Sequence, residues 1–305
     1  MTTKTRLTNR HGLPATIVAA IENDTYDPGA SDITVTSLVN SPRIVALTRQ
    51  HRDEITEDVG DHLYRLFGSG MHAVLERAGE ANAITEERLY ADVGGWRISG
   101  SFDSLTMADD SDGFNEFDQY SLTDWKMTSV YAVKDGVKPE WEAQLNCYAW
   151  LLNQHGFPVS SAYIGAMLRD WSKAQAKRNR DWPEIGWKTL PVRLWPEAGQ
   201  RAYLEERVAL HQAARQALPQ CSAEERWAKP NTWALMKGTN KRATAVFASE
   251  DGAFDSAAAQ ATPRDYRVEF RPGVSTRCDG YCAVIDFCDQ GQALAKAKGE
   301  VDAGS

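Results

Sequence analysis

Asp124 and Lys126 stand two residues apart in the stretch TDWKMTS, with Trp125 between them. In an extended strand side chains alternate, so the carboxylate and the ammonium share one face and the indole takes the other. The plain reading is a surface ion pair, a contribution of roughly 0–1 kcal/mol. The chemical reading is a carboxylate that holds a metal beside an amine that orients or deprotonates an attacking water, which suits phosphodiester hydrolysis. A second carboxylate, Asp103, closes the stretch ISGSFD upstream. Two carboxylates from adjacent strands, with the main-chain carbonyl after Asp124, form an oxygen-rich site for Mg²⁺ or Mn²⁺. Without a metal, two buried carboxylates repel and one is driven neutral. His72 lies upstream on a candidate helix, and imidazole suits Mn²⁺ better than Mg²⁺. Gln144 and Tyr148 are four apart, so they share a helix face and could bind a phosphate or the lysine. Glu87, on the strand before Asp103, could serve as a further acid near the metal, with Glu86 its competitor.

Taken singly, each residue has an ordinary explanation: a packed histidine, a turn aspartate, an amphipathic helix face, a solvated glutamate. The ordered set is H…GxxD…DxK…QxxxY. It resembles the PD-(D/E)XK nuclease superfamily, and within it the RecB-like exonucleases, including phage-encoded and CRISPR-associated members. The resemblance spans roughly 36–170 and touches the cysteine tail. It implies a restriction-endonuclease-like α/β core, a mixed central sheet flanked by helices, with N- and C-terminal additions. It also implies a Mg²⁺- or Mn²⁺-dependent DNA exonuclease in recombination, repair or phage DNA processing. On that resemblance His72, Asp103 and Asp124 would hold the metal and Lys126 would be catalytic, with Gln144 and Tyr148 completing the motif. A single-strand annealing recombinase is the partner such phage-encoded members suggest, and a homo-oligomeric ring would explain processivity. The alternative is a non-catalytic nucleic-acid-binding or adaptor protein on the same fold.

The elements that must position these residues are readable in outline. Residues 1–35 read as a weakly structured N-terminal extension, 36–170 as the core and 171–305 as a C-terminal extension packed on it. Over 57–79, Leu63, Leu66, Phe67, Met71, Val74 and Leu75 form a helical apolar stripe, with Gly68 and Gly70 either breaking it or allowing close packing. Gly94–Gly95 separates two extended runs, a hairpin signal. Residues 108–119, ADDSDGFNEFDQ, read as a loop. KPEWEAQLNCYAWLLNQHG reads as the clearest helix, with Pro139 near its start, Gly156 past its end, and Trp141, Leu145, Tyr148 and Leu152 at helical spacing.

Cys278, Cys282 and Cys288 crowd the C-terminal end, and in a reducing compartment such clustering points to metal rather than disulfides. By resemblance, some RecB-like nucleases tie such a tail to an N-terminal Cys-Pro-Arg through an iron–sulfur cluster. Here that spot reads Ser41-Pro42-Arg43, leaving Cys147 or Cys221 as the fourth thiol, or zinc, or no metal at all. Lys173, Lys177, Arg178 and Arg180, beside Arg169, and later Lys237, Lys241 and Arg242, beside Trp227 and Trp233, interleave basic and aromatic residues. That mixture suits phosphate contacts and base stacking on frayed DNA ends, the alternative being a solvated face with core tryptophans. A net charge of −8 excludes indiscriminate polyanion binding but leaves room for a local basic groove. No apolar run reaches the ~20 residues of a membrane span, and the N-terminal apolar run ATIVAAI is short and followed by charge, so the expected location is the cytoplasm.

Overall fold

The computed structural model describes residues 6–24, 29–78, 83–85, 87–108 and 119–303, and the acidic stretch 109–118 and Glu86 lie outside them. The chain divides into two compact units, one of residues 1–45 and 56–217, the other of 46–55 and 218–305.

The first unit is α/β. From residue 63 it runs α1 (Leu63–Ala78), β1 (Ala83–Thr85), β2 (Arg88–Val93), β3 (Trp96–Ser101), β4 (Ser104–Met107), β5 (Tyr120–Thr128), α2 (Pro139–Gln154), β6 (Val159–Leu168), α3 (Lys173–Arg178), β7 (Trp187–Val192) and α4 (Glu197–Ala213). A five-stranded mixed sheet has the order β7-β6-β5-β4-β1. Only β5 and β6 are parallel within it, and α2 is the crossover between them, as a parallel pair requires. A second sheet joins the β2–β3 hairpin to the short strand Ile33–Thr34. The hairpin turn is Gly94–Gly95 with φ of 55° and 79°, the positive values a two-residue turn needs at both positions.

Helix α2 holds the core. Pro139 starts it, Glu140 and Glu142 complement its first turn, and Gly156 follows its end with φ 83°. Trp141, Leu145, Tyr148 and Leu152 are all buried, and so are the residues between them from Asn146 to Leu151. The buried Asn146 inside it is satisfied: its amide donates to Glu142 O and Arg193 O, and its oxygen accepts from Trp195 N and Gln200 Nε2.

Four expectations need correction. The N-terminal stretch is structured: Arg6–Thr8 pairs in parallel with Thr56–Asp58, and Ala15–Asn23 is a helix. Buried Asp58 fixes this corner, accepting from Thr8 Oγ1 and Arg10 N at 2.8 Å and from Gly60 N at 3.0 Å. Helix α1 does not bury its stripe; Met71 is buried, but Phe67 and Val74 are more than half exposed, as is Tyr64. Gly68 and Gly70 neither break α1 nor admit a neighbour, since a Cβ on either would meet nothing within 4 Å. The first unit also continues past 170, because β7 pairs antiparallel with β6 and α4 supplies the buried Leu204 and Val208.

The second unit has an antiparallel sheet of β8 (Thr232–Lys237), β9 (Ala245–Phe247) and β10 (Tyr266–Arg271), with β8 central and Ala234, Leu235 and Met236 buried. Segment 46–55 belongs to it, and His51 stacks on Phe287 with ring centroids 4.1 Å apart.

Candidate active site

Asp103 sits at a break in the chain. Strand β3 of the smaller sheet ends at Ser101, β4 of the larger sheet begins at Ser104, and Asp103 occupies the bend between them. Its Oδ2 accepts the main-chain N–H of Trp125 at 2.7 Å, which ties the bend to β5 beyond the last β4–β5 pair, Ser104 with Thr123. Because a strand residue's N–H and C=O point to the same edge, the carbonyl of Trp125 also faces that side.

On β5 the alternation holds. Asp124 Oδ2 lies 2.7 Å from Lys126 Nζ on one face. Trp125 turns to the other, over Gly165 of β6 and against Trp187 of β7, centroids 5.9 Å apart. Asp124 is 3% exposed. The ammonium is within ion-pair distance of its Oδ2, yet it is not aligned as a hydrogen-bond donor, and no other donor among the described residues is directed at that buried oxygen. We read the pair as a charge contact that leaves a lone pair of Asp124 available.

The rest of the set converges on these two residues. Lys126 Nζ donates to Gln144 Oε1 at 3.4 Å, and Gln144 Nε2 donates to Tyr148 Oη at 2.9 Å. The Tyr148 hydroxyl also bonds the Thr36 side chain, and burial, then the Asp124 charge, pushes its pKa upward. Tyr148 reaches this place because Gly100 of β3 lacks a side chain: a Cβ there would lie 2.8 Å from the ring. His72 Nδ1 on α1 is 3.5 Å from Asp103 Oδ1. Asp103 itself is pushed up to about 7, first by burial and next by the Asp124 charge, with His72, the Trp125 N–H and Lys126 opposing. Glu87 is not part of this cluster. It is exposed, one residue before β2, and makes none of these bonds.

The donor chemistry fits a hard divalent cation. Burial and then the Asp124 charge drive the Asp103 carboxyl toward neutrality, and a buried oxygen of Asp124 lacks a directed donor. His72 and Asp103 contact each other, but among the described residues no three His, Cys, Asp or Glu side chains are drawn tight enough to hold an ion as they stand.

The predicted basic residues fall in different units. Lys173, Lys177 and Arg178 lie on α3, which buries nothing, with Arg180 just after it, in the first unit. Lys237, Lys241 and Arg242 are exposed in the second unit. There Trp233 packs on Phe270 at 5.4 Å, while Trp227 is 46% exposed with Arg277 over its ring.

In the second unit Cys221 is hydrogen-bonded to the segment that follows the tail cysteines. Gln290, two residues past Cys288, bonds both Cys221 N and Cys221 O, at 2.8 and 3.0 Å. Arg226 links Cys221 O to Ser275, just before the helix that carries Cys278. Burial raises the Cys278 pKa first, and then Cys282, Cys221 and Cys288 raise it further. Burial likewise raises Cys282. Cys147, the other candidate fourth thiol, is buried in α2 of the first unit and pushed up to about 12 by burial. Among the described residues no three of these thiols are drawn close enough to hold an ion as they stand. Sequence alone left Cys221 and Cys147 equal, since the choice depends on contacts spanning nearly 70 positions.

No protein-family model matches the chain, and no curated protein does. Among solved structures it is similar to one titled "Crystal structure of SSO0001", at 18% identity, covering 69% of this chain and 87% of that one, with a TM-score of 0.45. No helix among the described residues is long and apolar enough to cross a membrane.

Proposed function

We propose that the chain is a metal-dependent DNA exonuclease of the RecB-like type, acting on DNA ends in recombination, repair or phage DNA processing. One observation carries this reading. Asp103 and Asp124 meet at the junction of two sheets, the former pushed up to about 7 by burial and the latter's charge, with Lys126 on the same face. A structural ion pair needs neither the second carboxylate nor the Gln144–Tyr148 relay behind the lysine.

In this reading Asp103, Asp124 and the carbonyl of Trp125 would hold Mg²⁺ or Mn²⁺, with His72 beside Asp103. The ion, when bound, neutralises phosphate charge and acidifies a water. The chain's own residues do the remainder. Gln144 holds Lys126 Nζ, so the amine is presented from a fixed direction. Lys126 orients the attacking water and stabilises negative charge as it develops on the phosphate. Tyr148, kept protonated at ordinary pH, fixes the Gln144 amide.

The test is digestion of end-labelled linear DNA, duplex and single-stranded, with Mg²⁺, with Mn²⁺ and with EDTA. The wild type should degrade substrate only with metal, and Lys126→Ala should lower the rate at least ~100-fold. Closed circular DNA should survive. Cutting of the circle would make the enzyme an endonuclease, and intact linear DNA with either metal would leave a non-catalytic binding protein.

A further inference from the structure

The second unit carries an open groove of about 490 Å³ where β8 stops and β10 starts, lined by Lys237, Gly238, Arg264, Asp265, Tyr266 and Arg267. Its frame is backbone. Lys237 and Tyr266 form the last register pair of the two strands. Gly238, at φ 53°, turns the chain out of β8, and its N–H donates to Asp265 O at 2.7 Å. Asn240 N donates to Lys237 O at 3.1 Å, so the exposed loop that carries Lys241 and Arg242 folds back at once. Two cationic groups are tied to this frame. The Arg267 guanidinium donates to Gly238 O, and Lys237 Nζ lies 5.6 Å from the centre of the Tyr266 ring. Both partners line the groove, so both charges stay at it.

The charge here runs against that of the chain. Lys237, Lys241, Arg242, Arg264 and Arg267 gather around one lining carboxylate, Asp265, in a protein of net charge −8. Arg267 reaches Glu269 at 3.8 Å, and among the described residues the other four cations take part in no ion pair. The chain holds 42 acidic residues, so internal partners are plentiful. Cations gathered without them repel one another and create a positive potential that an outside anion relieves.

We propose that this groove holds the phosphodiester backbone of DNA, an anchoring contact borne by the second unit. The volume falls within the roughly 300–1,000 Å³ of sites that enclose whole ligands, so it has room for more than one phosphate. Tyr266 is the one aromatic lining residue and Lys237 lies over it, so no ring is free to stack a base. The contact is therefore to phosphates and indifferent to sequence. The inference rests on the nuclease reading only for naming DNA as the polyanion, and it needs neither the metal nor any residue of the first unit.

The test is fluorescence anisotropy of labelled DNA in EDTA over a range of salt, with wild type and the double variant Lys241→Ser, Arg264→Ser. Neither side chain bonds the rest of the chain among the described residues, so the variant should fold, which an unchanged thermal midpoint checks. Arg52→Ser with Lys296→Ser removes the same charge from exposed positions of the second unit outside the groove. The groove variant should bind DNA about ten-fold more weakly near 0.1 M salt, and its plot of log affinity against log salt should be shallower by about 1–2. Oligonucleotides of different sequence should lose equally, and the matched-charge variant should bind like wild type. Wild type that binds no DNA, a groove variant that binds like wild type, or an equal loss in the matched-charge variant would each overturn the proposal. So would calorimetric binding of a deoxynucleoside monophosphate that the groove variant loses, which would make the groove a small-ligand pocket. Cleavage is read separately, with Mg²⁺ or Mn²⁺ added: DNA held through the groove but left intact drops the nuclease alone, and DNA cut while the groove variant binds normally drops the groove alone.

Discussion

Asp103 is the residue whose chemistry depends most on its neighbours. Burial and the Asp124 charge raise it to about 7, against 3.8 for an ordinary aspartate. A carboxyl raised on folding binds more protons in the native than in the unfolded state between those two values. The metal-free protein therefore loses stability as pH rises through about 7 and keeps it below about 4. Thermal melts in EDTA from pH 5 to 8 should show the midpoint falling with pH, and Asp103→Asn should flatten that slope. Mn²⁺ should raise the midpoint most at the alkaline end, where the carboxylate is free to bind it. A midpoint independent of pH, or a slope unchanged in Asp103→Asn, would remove Asp103 from the charge cluster. At this scale the sequence was largely legible: His72, Asp103, Asp124, Lys126, Gln144 and Tyr148 come together as their order and spacing suggested. Glu87 lies apart because it is exposed one residue before β2, ahead of the strand rather than on it.

At the scale of elements, two glycines set how closely the site-bearing pieces approach. Gly165 lets Trp125 lie over β6, which leaves the opposite face of β5 to Asp124 and Lys126. Gly100 lets Tyr148 and Leu151 of α2 lie against β3, where an added methyl would come within 2.8–2.9 Å of both. Both contacts are side-chain atoms inside a packed core, so the methyl displaces the helix rather than a loose chain end. Gly100→Ala should destabilise the protein by about 1–3 kcal/mol in urea unfolding, and should lower the nuclease rate at temperatures where the variant remains folded. A stable Gly100→Ala protein with full activity would mean that Tyr148 has no part in holding Gln144 and Lys126. Helix α2 and the Gly94–Gly95 hairpin were readable because cap residues and turn glycines act locally. Helix α1 begins at Leu63 rather than near residue 57, where Thr56–Asp58 is a strand, and its stripe is mostly uncovered, since an apolar stripe predicts a face without saying whether anything covers it. The parallel pairing of Arg6–Thr8 with Thr56–Asp58 was invisible because three-residue strands carry no period, and one buried aspartate specifies the corner.

For the whole molecule, the chain builds its second unit from two separated stretches, 46–55 and 218–305. A net charge of −8 spread over the chain gives DNA no general attraction, and binding must come from local cations whose effect salt screens. The cysteines of the second unit allow a direct test of whether it carries a metal group. If Cys221 completes the set with Cys278, Cys282 and Cys288, protein purified without oxygen should carry iron and acid-labile sulfide, and Cys221→Ser should lose most of both. Cys147→Ser, which alters a thiol buried in α2, should keep them. The Cys221→Ser variant should also expose the peptide around 278–290 to limited proteolysis before the 120–168 region is touched, because only the former depends on the metal group. Zinc in place of iron would keep the four ligands and change the ion, whereas metal content unaffected by Cys221→Ser would return the fourth position to a residue outside this cluster.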